Sequence, residues 1–215
     1  MPLPRLLAIA TLAVLLGCSG SPSEPPPVGP QPQQGEDTFS TNSLDRYDAF
    51  EAGPSTWVMQ NGTLSASGLA LQSVLIRKDV SIADGWVETT SSRADDGGLV
   101  VGFQDNENYY LLAFRDDSAP GERGARNLAL YKRRGHYEFT EVWTLDIVWP
   151  RGTPHTFRLE LDDARLRVFV NGSVVGTWMD NLGAPLTGGI GVRHYGDSDA
   201  WETRFEVLRW RELLP

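Results

Sequence analysis

HTFRLELDDARLRVFVNGSVVGTWMD, running from His155 to Asp180, carries the strongest structural signal in the chain. Apolar and polar side chains alternate with a period of two on both sides of Asp162-Asp163, and again around Asn171-Gly172. A period of two puts successive side chains on opposite faces of a strand. With Asp162-Asp163 as a two-residue loop, Leu161 faces Ala164, Leu159 faces Leu166 and Phe157 faces Val168. One face of that hairpin is then wholly apolar, and the other pairs Glu160 with Arg165. A slip of one residue would scramble the faces, so the pattern itself sets the register. Asn171-Gly172 supplies the next turn, because a type I′ turn needs positive φ at both central residues. It sets Val168 against Val175.

Working outward, Asn61-Gly62 repeats the device and pairs Met59 with Leu64 and Trp57 with Ala66. Further strands are predicted at Ala70 to Arg77, Trp86 to Arg93, Leu99 to Phe103, Tyr109 to Arg115, Leu128 to Arg133, Phe139 to Leu145, Ile190 to Tyr195 and Trp201 to Trp210. No window after Cys18 holds a long helical period. So many short strands imply an all-β fold, two antiparallel sheets packed as a jelly-roll sandwich, since one open sheet would expose edges and a greasy face.

The amino-terminal segment has a different composition. Arg5 and the apolar run Leu6 to Leu16 read as a secretory signal that is too short to span a bilayer. It closes on Leu15-Leu16-Gly17-Cys18, and Cys18 is the sole cysteine. This resembles the lipoprotein cleavage pattern. The resemblance implies a signal peptide over 1–17, a lipid-bearing Cys18 and membrane anchoring through acyl chains, more than one of which is needed for stable attachment. Ser19, in place of Asp, implies outer-membrane delivery, with the domain facing the periplasm or the cell surface. Residues 18–36 hold the lipidated cysteine and a Pro-rich linker, whose prolines favour an extended tether reaching roughly 50 Å. The folded domain is expected over 37–215. The formal charge is −9, and −10 once Arg5 is removed with the signal. That argues against nucleic acid as a partner, since nucleic acid rewards a basic surface.

The domain resembles the concanavalin A-like lectin and glucanase superfamily, in the laminin-G-like form that includes the 3-keto-disaccharide hydrolases. The likeness rests on an ordered series: Trp57-Val58-Met59 into Asn61-Gly62-Thr63-Leu64, Gly98 to Phe103 followed by Asn108-Tyr109-Tyr110-Leu111, then His155 to Leu159, Phe169 to Gly172, Gly188-Gly189-Ile190-Gly191 and Phe205-Glu206-Val207. It implies a two-sheet jelly roll whose concave face or rim often binds glycans. It also implies a calcium site joining the first strand to the last, with Asp37 and Glu206 as the matching carboxylates. Fold analogy does not itself carry function.

Chemistry read from the residues narrows the choice. The Glu-x-Asp-x-x-Glu run of glucanases of this fold is matched only by Glu160-Leu161-Asp162, with Arg165 in the place of the second glutamate. His136, His155 and His194 are too scattered for a local zinc motif. His155 is expected to make a structural hydrogen bond. No nucleophile elbow or phosphate loop is present. Sugars are held by aromatic rings over their CH faces and by planar charged groups on their hydroxyls. Tyr109 and Arg115 share parity on one strand, Arg193 and Tyr195 on another, and Glu88 lies opposite Val87 on a third. These five are the candidate carbohydrate-binding residues, with Trp201 as a rim platform. Lys132-Arg133-Arg134 reads as a solvated turn. The favoured reading is a non-catalytic glycan- or polysaccharide-binding lipoprotein. A glycoside-processing hydrolase and a structural or adhesive protein-binding module are the alternatives.

Overall fold

Apolar faces written two residues apart need a second sheet to cover them, and the chain supplies it. The computed structural model describes residues 32–40, 43–52, 55–116, 127–135 and 138–213. The signal segment, Cys18, the prolines of the tether before Pro32 and His136 lie outside them.

In chain order the strands are β1 (Gln34–Asp37), β2 (Tyr47–Ala52), β3 (Thr56–Gln60), β4 (Thr63–Ser67), β5 (Ala70–Ile82), β6 (Gly85–Ser91), β7 (Arg93–Ala94), β8 (Gly97–Asp105) and β9 (Asn108–Phe114). They continue as β10 (Leu128–Arg134), β11 (Phe139–Leu145), β12 (His155–Asp162), β13 (Arg165–Val170), β14 (Ser173–Met179), β15 (Gly188–Gly196), β16 (Glu202–Phe205) and β17 (Val207–Glu212). A 3-10 turn at Leu44–Arg46 precedes β2. Three antiparallel sheets result. A six-stranded sheet has the order β1-β17-β6-β12-β13-β14, and a seven-stranded sheet the order β11-β10-β9-β8-β15-β5-β2. A smaller one runs β3-β4-β16-β7.

The Asn61-Gly62 hairpin pairs Met59 with Leu64 and Trp57 with Ala66, as its spacing predicts. At the β12–β13 hairpin the loop is Asp163-Ala164, one residue later than expected. Leu161 therefore meets Leu166, Leu159 meets Val168 and Glu160 meets Arg167. Each partner has moved by two, so every side chain keeps its face. Asp163 takes the positive φ of this turn, and Asn171 and Gly172 take those of the next. A bulge between Val168 and Phe169 sets Val168 opposite Gly176 rather than Val175. The folded region also starts earlier than expected, because β1 begins at Gln34 and pairs with the carboxy-terminal strand β17. Gln34 to Asp37 is a polar edge strand with no apolar alternation, so it gives no sequence signal.

The main core lies between the sheets. Phe114 of β9 stacks on Phe157 of β12, with ring centroids 4.1 Å apart, and meets Phe205 of β16 edge-on at 6.4 Å. One residue from each sheet thus forms the junction, and Trp149 packs against Phe157 from the loop before β12. The seven-stranded sheet has a second apolar layer on its other face, built from Val74, Ile76, Val100, Phe103, Tyr109 and Leu111. For that reason β9 is buried on both faces. Tyr110, Leu112 and Phe114 enter the main core, and Tyr109 and Leu111 enter the second layer.

Lys132 and Arg133 are strand residues and not a solvated turn. The Lys132 ammonium is 1 % exposed, bonds Asp180 and donates to the carbonyls of Leu182 and Ala184. Tyr110 bonds the same Asp180 oxygen and accepts from the Leu186 amide at 3.0 Å. A lysine in the core is tolerated because all three of its protons have acceptors. It fastens the segment after β14 to β10.

Candidate ligand-binding site

The second face of the seven-stranded sheet contains a depression whose shape follows from the register. Arg193 lies beside Gly98, Gly98 beside Ala113 and Ala113 beside Ala129, across β15, β8, β9 and β10. The next row, Val100, Leu111 and Tyr131, is larger. A row of small residues next to a row of large ones leaves a hollow. A side chain at Gly98 would strike Leu111, since its Cβ would sit 2.6 Å from that leucine's Cδ1. The hollow is a cavity of about 280 Å³, walled by Arg115, Arg193, Tyr195, Asp96, Tyr131 and Phe139. This is near the lower end of the roughly 300–1,000 Å³ of small-molecule sites.

Its polar wall is a three-residue charge cluster. Arg193 bonds Asp96 Oδ1, and Arg115 donates from Nε to Asp96 Oδ2 at 3.0 Å. The backbone holds the carboxylate's owner in place, since the Tyr195 amide donates to the Asp96 carbonyl at 3.0 Å. The Arg193 guanidinium lies 5.1 Å from the Tyr195 ring centre, and that of Arg115 lies 5.6 Å from Trp201. Burial, aided by Asp197, pushes the Tyr195 hydroxyl above its ordinary range, so it remains a neutral donor and acceptor at physiological pH.

The opposite wall is aromatic. Phe139 stands beneath the Arg133 guanidinium at 4.8 Å and edge-on to Tyr131 at 6.1 Å. Arg133 donates to the Tyr109 hydroxyl at 3.0 Å, and the Gln72 amide bonds the same oxygen. Burial raises the Tyr109 pKa, with Arg133 opposing it.

Of the five residues predicted from parity, Arg115, Arg193 and Tyr195 meet at the cavity. Tyr109 is on the correct face but fully buried, so its ring is support beneath the wall and not a platform for ligand. Glu88 is elsewhere. It lies on β6, on the outer face of the six-stranded sheet, where Arg158 donates to its Oε2 at 2.9 and 2.7 Å. Parity assigns a face of a strand and does not assign the strand to a sheet. Trp201 is also displaced from the expected rim, being buried edge-on against Tyr195 with ring centres 5.9 Å apart. Asp96, Tyr131 and Phe139 were not anticipated. Asp95-Asp96-Gly97-Gly98 has turn composition, and only the pairing of β8 with β15 brings Asp96 to Arg193.

The two carboxylates expected to hold calcium have separate partners. Asp37 accepts from the Phe39 amide at 2.9 Å on Oδ1, and from Arg77 at 2.9 Å and Tyr47 at 3.0 Å on Oδ2. Glu206 bonds the Ser92 hydroxyl and accepts from its amide at 3.2 Å. Calcium takes six to eight oxygen ligands, and a guanidinium on Asp37 does not fit that use. No group of three or more His, Cys, Asp or Glu side chains is placed to hold a metal among the described residues. His155 makes the expected structural contact, 3.1 Å from the Asn171 side-chain amide. Glu160 and Asp162, the nearest match to a glucanase pair, bond Arg167 and Arg165 on the outer face of the six-stranded sheet.

No family model and no curated protein matches the sequence. Solved structures do match its fold. A Bacillus subtilis protein of unknown function with a galectin-like fold aligns with TM-score 0.63 and 17 % identity, over 84 % of this chain and 97 % of that one. Carbohydrate-binding module CBM66 from Bacillus subtilis aligns with TM-score 0.56 and 13 % identity, over 74 % and 91 %. A putative glycosyl hydrolase from Parabacteroides distasonis aligns with TM-score 0.55 and 16 % identity, over 83 % and 100 %. At such identities the likeness is one of fold, and the fold is the β-sandwich that these proteins share.

Proposed function

We propose that this chain is a lipid-anchored saccharide-binding protein, which takes part of a glycan into the cavity on its seven-stranded sheet. The carrying observation is the composition of that cavity. Arg193, Asp96 and Arg115 offer planar polar groups on one wall, Tyr131 and Phe139 offer rings on the other, and Ala113, Ala129 and Leu111 line the space between them. Aromatic surface covers CH groups, and fixed polar groups set orientation. The fold neighbours include one titled a carbohydrate-binding module, which agrees with this reading.

Binding is favoured over hydrolysis by the acids present. Glycoside cleavage generally uses two carboxyl groups flanking the scissile bond. Among the described residues the cavity wall has one, Asp96, and both its oxygens already engage arginines. The Leu-Leu-Gly-Cys18 pattern and Pro-rich tether support presentation of the domain from an extracytoplasmic membrane, with Ser19 favouring the outer one.

A glycan array probed with the chain from Ser19 onward tests the binding reading. Retention of one or more saccharides is expected, and its loss in Ala129→Leu, which fills the floor, with an unchanged thermal midpoint. Signal that survives in Ala129→Leu would move the site elsewhere, and an array with no retained saccharide would end the reading. For the anchor, the full-length chain expressed in a Gram-negative host is expected in the membrane fraction, and Cys18→Ala in the soluble one; membrane retention of the variant would refute lipidation.

A further inference from the structure

The chain is strongly acidic, yet the cavity is not. Among the described residues its wall carries two arginines against one carboxylate. Asp96 is shared, with Arg193 on one oxygen and Arg115 on the other. The second positive charge therefore has no fixed anion in the wall. Arg193 is 7 % exposed, and its Nε is buried without a hydrogen-bond partner. That Nε is closed off from the cavity as well; what the two guanidiniums bring to the lining is an excess of positive charge, which an anion entering the cavity would balance.

The wall also selects the kind of acceptor. The guanidiniums contribute N–H donors alone, both oxygens of Asp96 already engage them, and the acceptors that the wall retains, on Gln72 and Tyr195, are uncharged. A neutral hydroxyl can bond to such a wall but leaves its excess charge unbalanced. An ionised carboxylate needs donors only, and its planar pair of oxygens matches the guanidinium fork.

Resting on the reading that this cavity holds a saccharide, we propose that the saccharide is an acidic one, whose carboxylate seats against Arg193 and Arg115. Its ring then lies over Ala113 and Ala129, between Tyr195 and the Tyr131 and Phe139 wall. Selectivity comes from the local field, because a chain of net negative charge repels acidic polymers except where a cationic recess is presented.

The test uses calorimetry on the chain from Ser19 onward with galacturonate and glucuronate oligosaccharides, their methyl esters, the matching neutral galactose and glucose oligosaccharides, and a sulfated galactan. The uronates are expected to bind, with affinity that falls as salt is raised. Methyl esterification, which removes charge while keeping the ring, is expected to weaken binding by roughly tenfold to a hundredfold, the range for a hydrogen bond to a charged group. Arg193→Gln is expected to erase the difference between acid and ester, and Arg193→Lys to keep part of it. Equal affinity for acid and ester in the unmodified chain overturns the proposal, whatever the variants do. Preference for neutral or sulfated saccharide, blocked by Ala129→Leu, overturns it while leaving saccharide binding in place. Failure to bind any saccharide here or on the array overturns both.

Discussion

On the outer face of the six-stranded sheet Glu88 is held by Arg158 and approached by Arg209, Glu36 by Arg209, Glu160 by Arg167 and Asp162 by Arg165. On the outer face of the seven-stranded sheet, Arg193 and Arg115 converge on Asp96 alone. The first face places its arginines and carboxylates on strands at alternate positions, whereas on the second Asp96 comes from the bend before β8 and Arg115 from just past the end of β9. On the first, every acid named has its own cation, and Arg158 is further covered by Trp86 at 4.4 Å and Phe169 at 5.5 Å. On the second, small residues lower the floor, and two cations share one acid. Arginine and carboxylate thus make a charge-paired surface in one place and a recess with an excess of positive charge in the other.

The sharpest way to break this comparison is to remove the acid from each face. Asp96→Asn leaves Arg193 buried with no charge partner, and loss of one member of a buried pair costs about 3–5 kcal/mol. Glu88→Gln leaves Arg158 and Arg209 partly exposed, where water can replace the lost partner, at a cost of roughly 1 kcal/mol or less. Urea unfolding of both variants reads the difference directly. Similar losses in the two would mean that the Asp96 cluster is hydrated like an ordinary surface pair.

What the sequence disclosed follows from which forces are local. Turn chemistry is local, so Asn61-Gly62 and Asn171-Gly172 identified their hairpins, and alternation gave each strand its faces. This was enough to put Tyr109 with Arg115, and Arg193 with Tyr195. Sheet membership is a long-range choice. Nothing in Trp86-Val87-Glu88 states that β6 pairs with β12 and β17 rather than with the strands of the recess. Asp96 escapes the sequence for the same reason, and Tyr109 is a binding candidate by parity but support by burial, because a second apolar layer outside the main core leaves no mark on a strand already apolar on its inner face. Lys132-Arg133-Arg134 misled through composition. Three consecutive cations suggest solvent, but alternation sends Lys132 inward to Asp180 and Arg133 outward to Tyr109.

The smallest expected effect separates the two sheets by pH. His194 on β15 is fully buried, 3.2 Å from the Thr203 hydroxyl and 3.4 Å from the Gly68 carbonyl. Burial pushes its pKa below the ordinary histidine value, with Arg193 adding to the shift and the Gly68 carbonyl opposing it. His155 on β12 shifts the same way through burial but is only partly buried. A depressed imidazole pKa means that the unfolded chain gains its proton first as pH falls below about 6.5. Stability from the neutral imidazole is therefore full above that pH and declines below it until the folded pKa is passed. For one proton the slope is at most about 1.4 kcal/mol per pH unit. Glu206 has the opposite sign, since burial raises its pKa and its contribution is lost as pH rises. The informative quantity is then the difference between variants rather than the whole curve. His194→Gln keeps a donor for the Gly68 carbonyl and removes the titration, so its unfolding free energy should fall less steeply than that of the parent between pH 7 and 5. His155→Gln should flatten the same curve by less. Equal flattening by the two variants would show that the imidazole behind the recess is no better shielded from water than its counterpart across the sandwich.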